Sequence, residues 1–250
     1  PQVALRLMAA HAVAGSYLFQ LRPEPQRSGS DAIAESVETS LAETRFDAER
    51  RELLALLGLD PESPTLIQTG SAYRETSTAA LFAALLRLAE AEVMRVIALV
   101  MGETLEAGSA AVEATAVHLK LDMSEYWEAD DALLDLLRDK EVLTAMICDL
   151  AGEEVAAANA GEKVKALKVI VRDCLAGANG RAKAVHWVPR WMRVPPSAYT
   201  ARGGVESVRS HGEVAALMEE VEQEGSGEPL PESPALEEEA VSADALDEAT

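Results

Sequence analysis

Six acidic residues lie close together over residues 122–135, in the first part of the segment DMSEYWEADDALLDLLRDKEVL (122–143). They are Asp122, Glu125, Glu128, Asp130, Asp131 and Asp135. Paired carboxylates can carry out acid–base catalysis or bind a metal ion. Here they stand at the start of a helical pattern, where the free backbone N–H groups of the first turn favour negative charge. We therefore predict that these acids cap a helix, and that the neighbouring Trp127 packs the loop onto the core.

The chain has no other sequence pattern typical of a catalytic or cofactor site. It lacks a GxxxxGK[ST] phosphate loop, a GxGxxG turn after a strand, and the HExxH, CxxC and GxSxG motifs. The four histidines are scattered along the chain, at His11, His118, His186 and His211. We predict no catalytic residue, no cofactor and no metal site. A hydrolase-type enzyme with a polar pocket around Asp130, Asp131 and His186 is the minority alternative.

One segment, residues 162–204, is basic in an otherwise acidic chain. It carries nine of the 22 Lys and Arg residues against two acids, whereas the whole chain has a formal net charge of −21. It also holds two of the three tryptophans and three of the eleven prolines. We call it the basic segment. Its candidate contacts to DNA or to a protein partner are Lys163, Lys165, Lys168, Arg172, Arg181, Lys183, Trp187, Arg190, Trp191, Arg193 and Arg202.

Three interpretations of the basic segment remain open from the residues alone. In the first, Trp187 and Trp191 pack one face of a short turn, and the arginines bond to carbonyls or to the acidic surface. In the second, the cations neutralise phosphates while the tryptophans stack on bases of a nucleic acid. In the third, the segment docks an acidic peptide such as the chain's own C-terminal tail, which would then compete with DNA.

Composition narrows the class of protein. About 48% of the residues are apolar and only 4% are aromatic, and the abundance of Ala and Leu favours helices over sheets. The net charge argues against binding of nucleic acid or anionic membrane by the whole surface. No apolar run approaches the roughly 18 residues of a membrane span. Cys148 and Cys174 lie on apolar stretches and are predicted to be buried, reduced thiols.

The first residue is Pro1 and a helical pattern begins at once, without a signal peptide. We therefore expect a cytoplasmic piece of a longer protein.

The fold class predicted is all-α: a multi-helix orthogonal bundle of about eight to eleven helices, with a proline- and glycine-rich basic loop over 180–204. We predict a helical domain over residues 1–209 with a subdivision near 60–77, and a short helix over 210–222, where the pattern runs from His211 to Glu222. Residues 223–250, with nine acids after Gln223 and no base, should form a disordered tail.

Capping residues and spacing predict where these helices begin and end. Asp31 offers an N-cap for one long helix or two in series, which Gly58 ends. Ser109 caps a later helix, and a break is expected near 88–90. Two further helices are expected over 141–160 and 161–177, separated near 159–161, and Gly177 should end the second of them.

Two predictions concern burial. The run VMRVIALVM (93–101) is apolar nearly all round and should form the central core helix, with Met94 and Met101 as core filling. The helix after residue 162 should bury a stripe made of Val164, Leu167, Ile170, Val171 and Cys174. His11, on the apolar first helix, is expected to be buried and hydrogen-bonded.

Several phrases of the sequence resemble one protein family. They are PQVALRLMAAHAVAGSYLFQLRPEPQ (1–26), VMGETLEAGSAAVEA (100–114), DMSEYWEADDALLDLLRDKEVL (122–143), EKVKALKVIVRDCLAGANGRAK (162–183) and above all WVPRWMRVPPSAYTARGGV (187–205). They are similar to the C-terminal region of large ParB-like (ParB/RepB) partition proteins from plasmids and chromosomes of alphaproteobacteria. The similarity covers roughly residues 1–209, and none of the phrases is a catalytic motif.

The resemblance implies a role in plasmid or chromosome segregation. It implies DNA as the partner of the full-length protein, a homodimer, and a partition ATPase as a candidate partner. The nucleotide-binding clamp domain and the helix-turn-helix of that family are not in this chain, so no family site residue can be assigned. The expected function is thus non-catalytic, through self-association or auxiliary DNA contact. A protein–protein interaction module without DNA contact is the alternative.

Overall fold

The fold is described here from a computed structural model, which covers residues 2–14, 21–24, 30–68 and 75–225. Within these ranges the chain forms α-helices and two 3-10 helices, and no strand, so the all-α fold class is confirmed. The helices are α1 (Gln2–Ala14), α2 (Asp31–Glu38), α3 (Leu41–Leu57), α4 (Glu75–Leu85), α5 (Glu90–Glu103), α6 (Ala110–Leu119), α7 (Asp131–Leu136), α8 (Lys140–Ala151), α9 (Glu153–Asn159), α10 (Val164–Ala176) and α11 (Val205–Gly225). The 3-10 helices are Met123–Glu125 and Arg190–Met192.

Side-chain caps fix several helix starts. The helical pattern after residue 30 forms two helices, because the Ser40 hydroxyl accepts the backbone N–H of Glu43 at 3.1 Å and begins α3 anew. The N-cap of α2 is Ser30, and Asp31 is its first helical residue, so the predicted cap is wrong by one position. Ser109 caps α6 as predicted, accepting the N–H of Val112.

A first hydrophobic core joins α1, α3, α4 and α5. Leu66 and Ile67 are fully buried in it, although they belong to the segment where a subdivision is predicted. Glu103 at the end of α5 holds this segment: its carboxylate accepts the N–H of Leu66 at 2.8 Å and the hydroxyl of Thr65 at 2.6 Å. Residues on both sides of 60–68 therefore share one core. The predicted domain boundaries themselves stay a prediction.

Helix α5 is central to this core on one side only. Val93, Val96 and Val100 are completely buried, and the helix packs against α1 and α3. Met94 and Met101, however, are 49% and 38% exposed. The prediction that they fill the core is wrong, because the buried face of α5 is the one with Val93, Val96 and Val100, and both methionines lie off that face.

A second hydrophobic core joins α7, α8, α9 and α10, together with Trp187, Trp191 and Tyr199 of the basic segment. Helices α8 and α9 were predicted as one helix, and this prediction is wrong. The chain turns at Gly152 (φ 89°, ψ 165°), which is the C-cap of α8 and the N-cap of α9. Of the predicted α10 stripe, Leu167, Val171 and Cys174 are buried, whereas Val164 and Ile170 are only partly buried against this core.

Helix α11 packs against α6 and the second 3-10 helix. It begins at Val205, six residues before the start predicted from its pattern, and runs to Gly225. The Nδ1 atom of His211 lies 2.6 Å from the Glu113 carboxylate and links α11 to α6. Residues 223–225 of the predicted disordered tail belong to α11, so the prediction is wrong there; the rest of that tail, from 226 onward, lies outside the described residues. No helix in the described ranges has the length and apolarity to cross a bilayer.

Candidate interaction surfaces

The basic segment starts on α10, whose two faces differ in chemistry. Leu167 and Val171 are buried in the second core, and Cys174 is also buried, whereas Lys163, Lys165 and Arg172 are exposed. Burial raises the pKa of the Cys174 thiol. The predicted burial is confirmed for Cys174, and a neutral, buried thiol is unreactive, whereas Cys148 is only half-buried, so its predicted burial is wrong.

The tryptophans of the basic segment face the protein interior. After Gly177 the chain folds back, and the N–H of Ala184 donates to the carbonyl of Cys174 at 2.9 Å. This brings Trp187 onto the second core. Its indole Nε1 is buried without an acceptor in the described part of the chain. Such a ring is a packing anchor and is not presented for stacking on a base.

Arg190 stands at the centre of a second packed cluster. Its Nε donates to Asp149 at 2.9 Å and its Nη2 to the other carboxylate oxygen, and this bonding raises the guanidinium pKa. The guanidinium also lies 4.8 Å from the ring centre of Tyr199, and Trp191 meets the same ring edge-on at 5.2 Å. Arg190 and Trp191 therefore hold the 3-10 helix against α8.

Two further arginines are paired with acids of neighbouring helices. Arg172 donates to Asp131 at 2.6 Å. Arg202 lies 3.1 Å from Asp139 and 3.3 Å from Glu141. The N–H of Glu141 lowers the pKa of the Asp139 carboxyl, and Arg202 lowers it further. With Arg190, these pairs give the arrangement that the first interpretation of the basic segment predicts.

The other cations of the basic segment have fewer partners. In the described part of the chain, Lys163, Lys165, Lys183 and Arg193 are exposed and form no ion pair. Arg181 is partly buried and interacts with the Cys174 thiol.

Lys168 lies close to two arginines, Arg138 and Arg172, and the sequence does not indicate that these three cations are neighbours. Its Nζ lies 3.5 Å from the carbonyl of Asp135, and its pKa is lowered first by burial and then by the neighbouring Arg138 and Arg172. Arg138 was missed from the candidate contacts because it lies upstream of the basic segment, and nothing in the sequence indicates that it approaches α10.

Two of the six clustered acids cap helices as predicted. Asp122 accepts the N–H of Ser124 at 2.9 Å, and hydrogen bonds from Ser124 lower its pKa. Asp130 accepts the N–H of Leu133 at 3.0 Å with one oxygen and the Ser36 hydroxyl with the other. In the described ranges no group of three metal-binding side chains occurs.

A polar cleft of about 530 Å³ lies between the start of α3 and the loop before α7. Asp130, His186 and Trp127 line it, whereas Asp131 is not among its walls. Trp127 belongs to neither hydrophobic core, so its predicted packing onto the core is wrong. Both oxygens of the Asp130 carboxylate accept hydrogen bonds, one from the first turn of α7 and one from Ser36. His186 is exposed. The Ser36 hydroxyl, which also lines the cleft, is thus hydrogen-bonded to a carboxylate that already caps α7.

An exposed apolar line runs along one core helix, α5. Ala91, Met94, Ala98 and Met101 are all exposed, and their spacing of three, four and three residues places them on one line along the helix. We call these four residues the α5 stripe. The sequence signal was present in this spacing, but the run 93–101 is apolar nearly all round. The sequence alone therefore does not distinguish the exposed side of this helix from its buried side.

An ion-paired arginine borders the α5 stripe on the side of α3. Arg95 donates to the two oxygens of Glu49 at 2.7 and 2.8 Å, and its Nη2 lies 3.0 Å from Glu52. The hydrogen bond from Arg95 lowers the pKa of Glu49. The stripe itself carries no charge, although the chain as a whole is strongly acidic.

Compared with known proteins, the chain matches no protein-family model, no curated protein and no solved structure.

Proposed function

We propose that the chain is a non-catalytic helical part of a ParB-like partition protein and that it supports plasmid or chromosome segregation by self-association. The ParB-like assignment rests on the five phrases of sequence given above. In this proposal the specific DNA-binding part lies outside the chain. A cytoplasmic location and a partition ATPase as a further partner belong to the same proposal.

The α5 stripe is the observation that carries self-association. An uncharged, exposed line of side chains along a core helix gains free energy when a partner covers it, at about 25 cal/mol for each Å² of apolar surface removed from water. The arginines of the basic segment support the same choice. Arg172, Arg190 and Arg202 are bound to acids of their own chain, so they are not available to a partner without breaking those pairs.

Sedimentation velocity tests self-association directly. We expect the weight-average sedimentation coefficient to rise toward that of a dimer as the chain is concentrated from about 5 to 200 micromolar, a range that covers weak association. A coefficient that stays at the monomer value throughout would contradict the proposal.

A second candidate, auxiliary contact with DNA, is favoured by the unpaired lysines of α10. Lys163 and Lys165 stand at the start of that helix, exposed and without acid partners in the described part of the chain. Phosphate contacts of this kind are independent of DNA sequence and weaken as salt is raised.

A matched pair of charge reversals tests the DNA contact. Lys165→Glu should weaken binding to a non-specific duplex and make its salt dependence shallower, by a slope of about 1 for each lost phosphate contact. Arg87→Glu, an exposed charge outside the basic segment, is the control and should bind like the wild type. Equal binding by both variants, or no binding by the wild type, would contradict a DNA contact.

A further inference from the structure

We infer that two copies of the chain pair through α5, with the two helices antiparallel around a two-fold axis near Val96. The inference rests on the proposed self-association and names the surface, the partner and the geometry. The partner is a second copy of this chain, seated on the α5 stripe.

The order of residues along the stripe is self-complementary when the helix is reversed. In an antiparallel pair centred near Val96, Met94 faces the partner's Ala98, and Ala91 faces the partner's Met101. Each large side chain then meets a small one at both ends of the contact. Such alternation of large and small residues lets two helices interdigitate, and the three–four spacing suits a crossing angle of about 20°.

A parallel pair would fit less well. Met94 would face the partner's Met94, and Ala98 would face the partner's Ala98. The pair would then be crowded at the methionine levels and would leave gaps at the alanine levels, which costs packing energy. The pattern therefore favours a second copy in the reverse direction.

The charges beside the stripe make the contact depend on salt. Arg95 has two carboxylates, Glu49 and Glu52, on its own chain, which leaves an excess of one negative charge. An antiparallel pair places the same border of both copies side by side. The two excess negative charges then repel one another across the axis, and salt screens this repulsion.

The size of the stripe sets the strength of the contact. From residue 91 to residue 101 an α-helix rises about 15 Å, so the contact is smaller than the roughly 800 Å² that each partner buries in a standard interface. The dimer should therefore be weak and depend on concentration.

Disulfide trapping tests the antiparallel register. Met94→Cys and Ala98→Cys are each made in a Cys148→Ser background, since Cys148 is half-buried whereas Cys174 is buried. On mild oxidation, an equal mixture of the two variants should give several-fold more disulfide-linked dimer than either variant alone. The matched control mixes Met94→Cys with Leu119→Cys, whose site is exposed on α6; it should give no more than background.

The outcomes separate this inference from the proposed function. Cross-linking of Met94→Cys with itself, above the level of the mixture, would indicate a parallel pair and overturn the inference. The inference would also be overturned if no variant cross-links while the wild type still dimerises in the ultracentrifuge. That result would indicate self-association through a surface other than the α5 stripe. A wild type that stays monomeric would overturn both proposals. Unchanged thermal unfolding by circular dichroism establishes that each variant is folded.

Discussion

Arg190 is held by an acid on one side and an aromatic ring on the other. Asp149, whose side chain is only 14% exposed, binds two of its nitrogens, and Tyr199 lies beneath its guanidinium. Burial raises the pKa of Tyr199, so its hydroxyl stays neutral in the physiological range. These contacts fasten the end of the basic segment to α8.

Removal of Asp149 should therefore reduce stability. Asp149→Ala leaves the half-buried guanidinium without its anion, and we expect the free energy of unfolding to fall by about 2 kcal/mol in urea denaturation. Arg193→Ala removes an exposed arginine of the same segment and should change it by less than about 0.5 kcal/mol. Equal effects of the two substitutions would show that the Arg190 cluster carries no stability of its own.

Asp139 gives a pH-dependent contribution to stability. Because its folded-state pKa lies below the ordinary value of 3.8, its stabilising effect is complete above that value and is lost as the pH falls through the folded-state pKa. Asp139→Asn keeps an acceptor for the N-cap of α8 but loses the charge facing Arg202. We expect the variant to be less stable than the wild type at about pH 7, and the difference to shrink as the pH falls through the folded-state pKa of Asp139. A difference that stays the same size as the pH is lowered would contradict the assignment.

At the scale of helices, the turn after α10 positions the basic segment. Gly177 ends α10 with φ 69°, and a Cβ atom added there would lie 2.8 Å from the Cβ of Lys183 and 3.2 Å from its backbone. Gly58 ends α3 with a similar φ of 71°, but the space beside it is open. The two glycines share their backbone conformation and differ in their surroundings.

This contrast predicts two different costs for the same substitution. Gly58→Ala should lower the free energy of unfolding by about 1 kcal/mol, the cost of a left-handed backbone for alanine. Gly177→Ala should cost roughly 3 kcal/mol, because the returning chain must also move. Urea denaturation of both variants measures this difference. Equal losses of unfolding free energy in the two variants would show that the close approach of Lys183 to Gly177 does not affect stability.

Helix ends that are determined by adjacent residues could be predicted from the sequence. Helix ends that depend on tertiary contacts could not. The stops at Gly58 and Gly177 and the cap at Ser109 depend on residues next to the helix. The break at Gly152 was missed because the helical pattern continues across it. The early start of α11 was missed because the helix packs against α6 and the second 3-10 helix, contacts that the pattern of that helix alone does not contain.

The same limit applies to the candidate surfaces. The excess of Lys and Arg in the basic segment is visible in the sequence, but the acids that bind Arg172 and Arg190 lie 41 residues away along the chain. Which cations remain exposed is therefore decided by tertiary packing. The spacing of the α5 stripe is also visible, whereas its exposure could be learned only from the fold.

At the scale of the whole molecule, charge opposes association and apolar surface favours it. Each chain carries a formal net charge of −21, so two copies repel one another at low ionic strength. Salt screens this repulsion over about 10 Å at 0.1 M and leaves burial of apolar surface largely intact. A dimer formed through the α5 stripe should therefore tighten as salt is raised, whereas contact with DNA should weaken.

Sedimentation equilibrium of three proteins at low and high salt tests self-association through the α5 stripe most directly. They are the wild type, Met94→Glu with Met101→Glu on the stripe, and Leu119→Glu with Leu217→Glu, a control that adds the same charge at sites 64% and 62% exposed on α6 and α11. We predict that the wild type and the control dimerise, more tightly at high salt, and that the stripe variant stays monomeric at both. Dimerisation of the stripe variant as tight as that of the control, or a monomeric wild type at every concentration, would contradict the account.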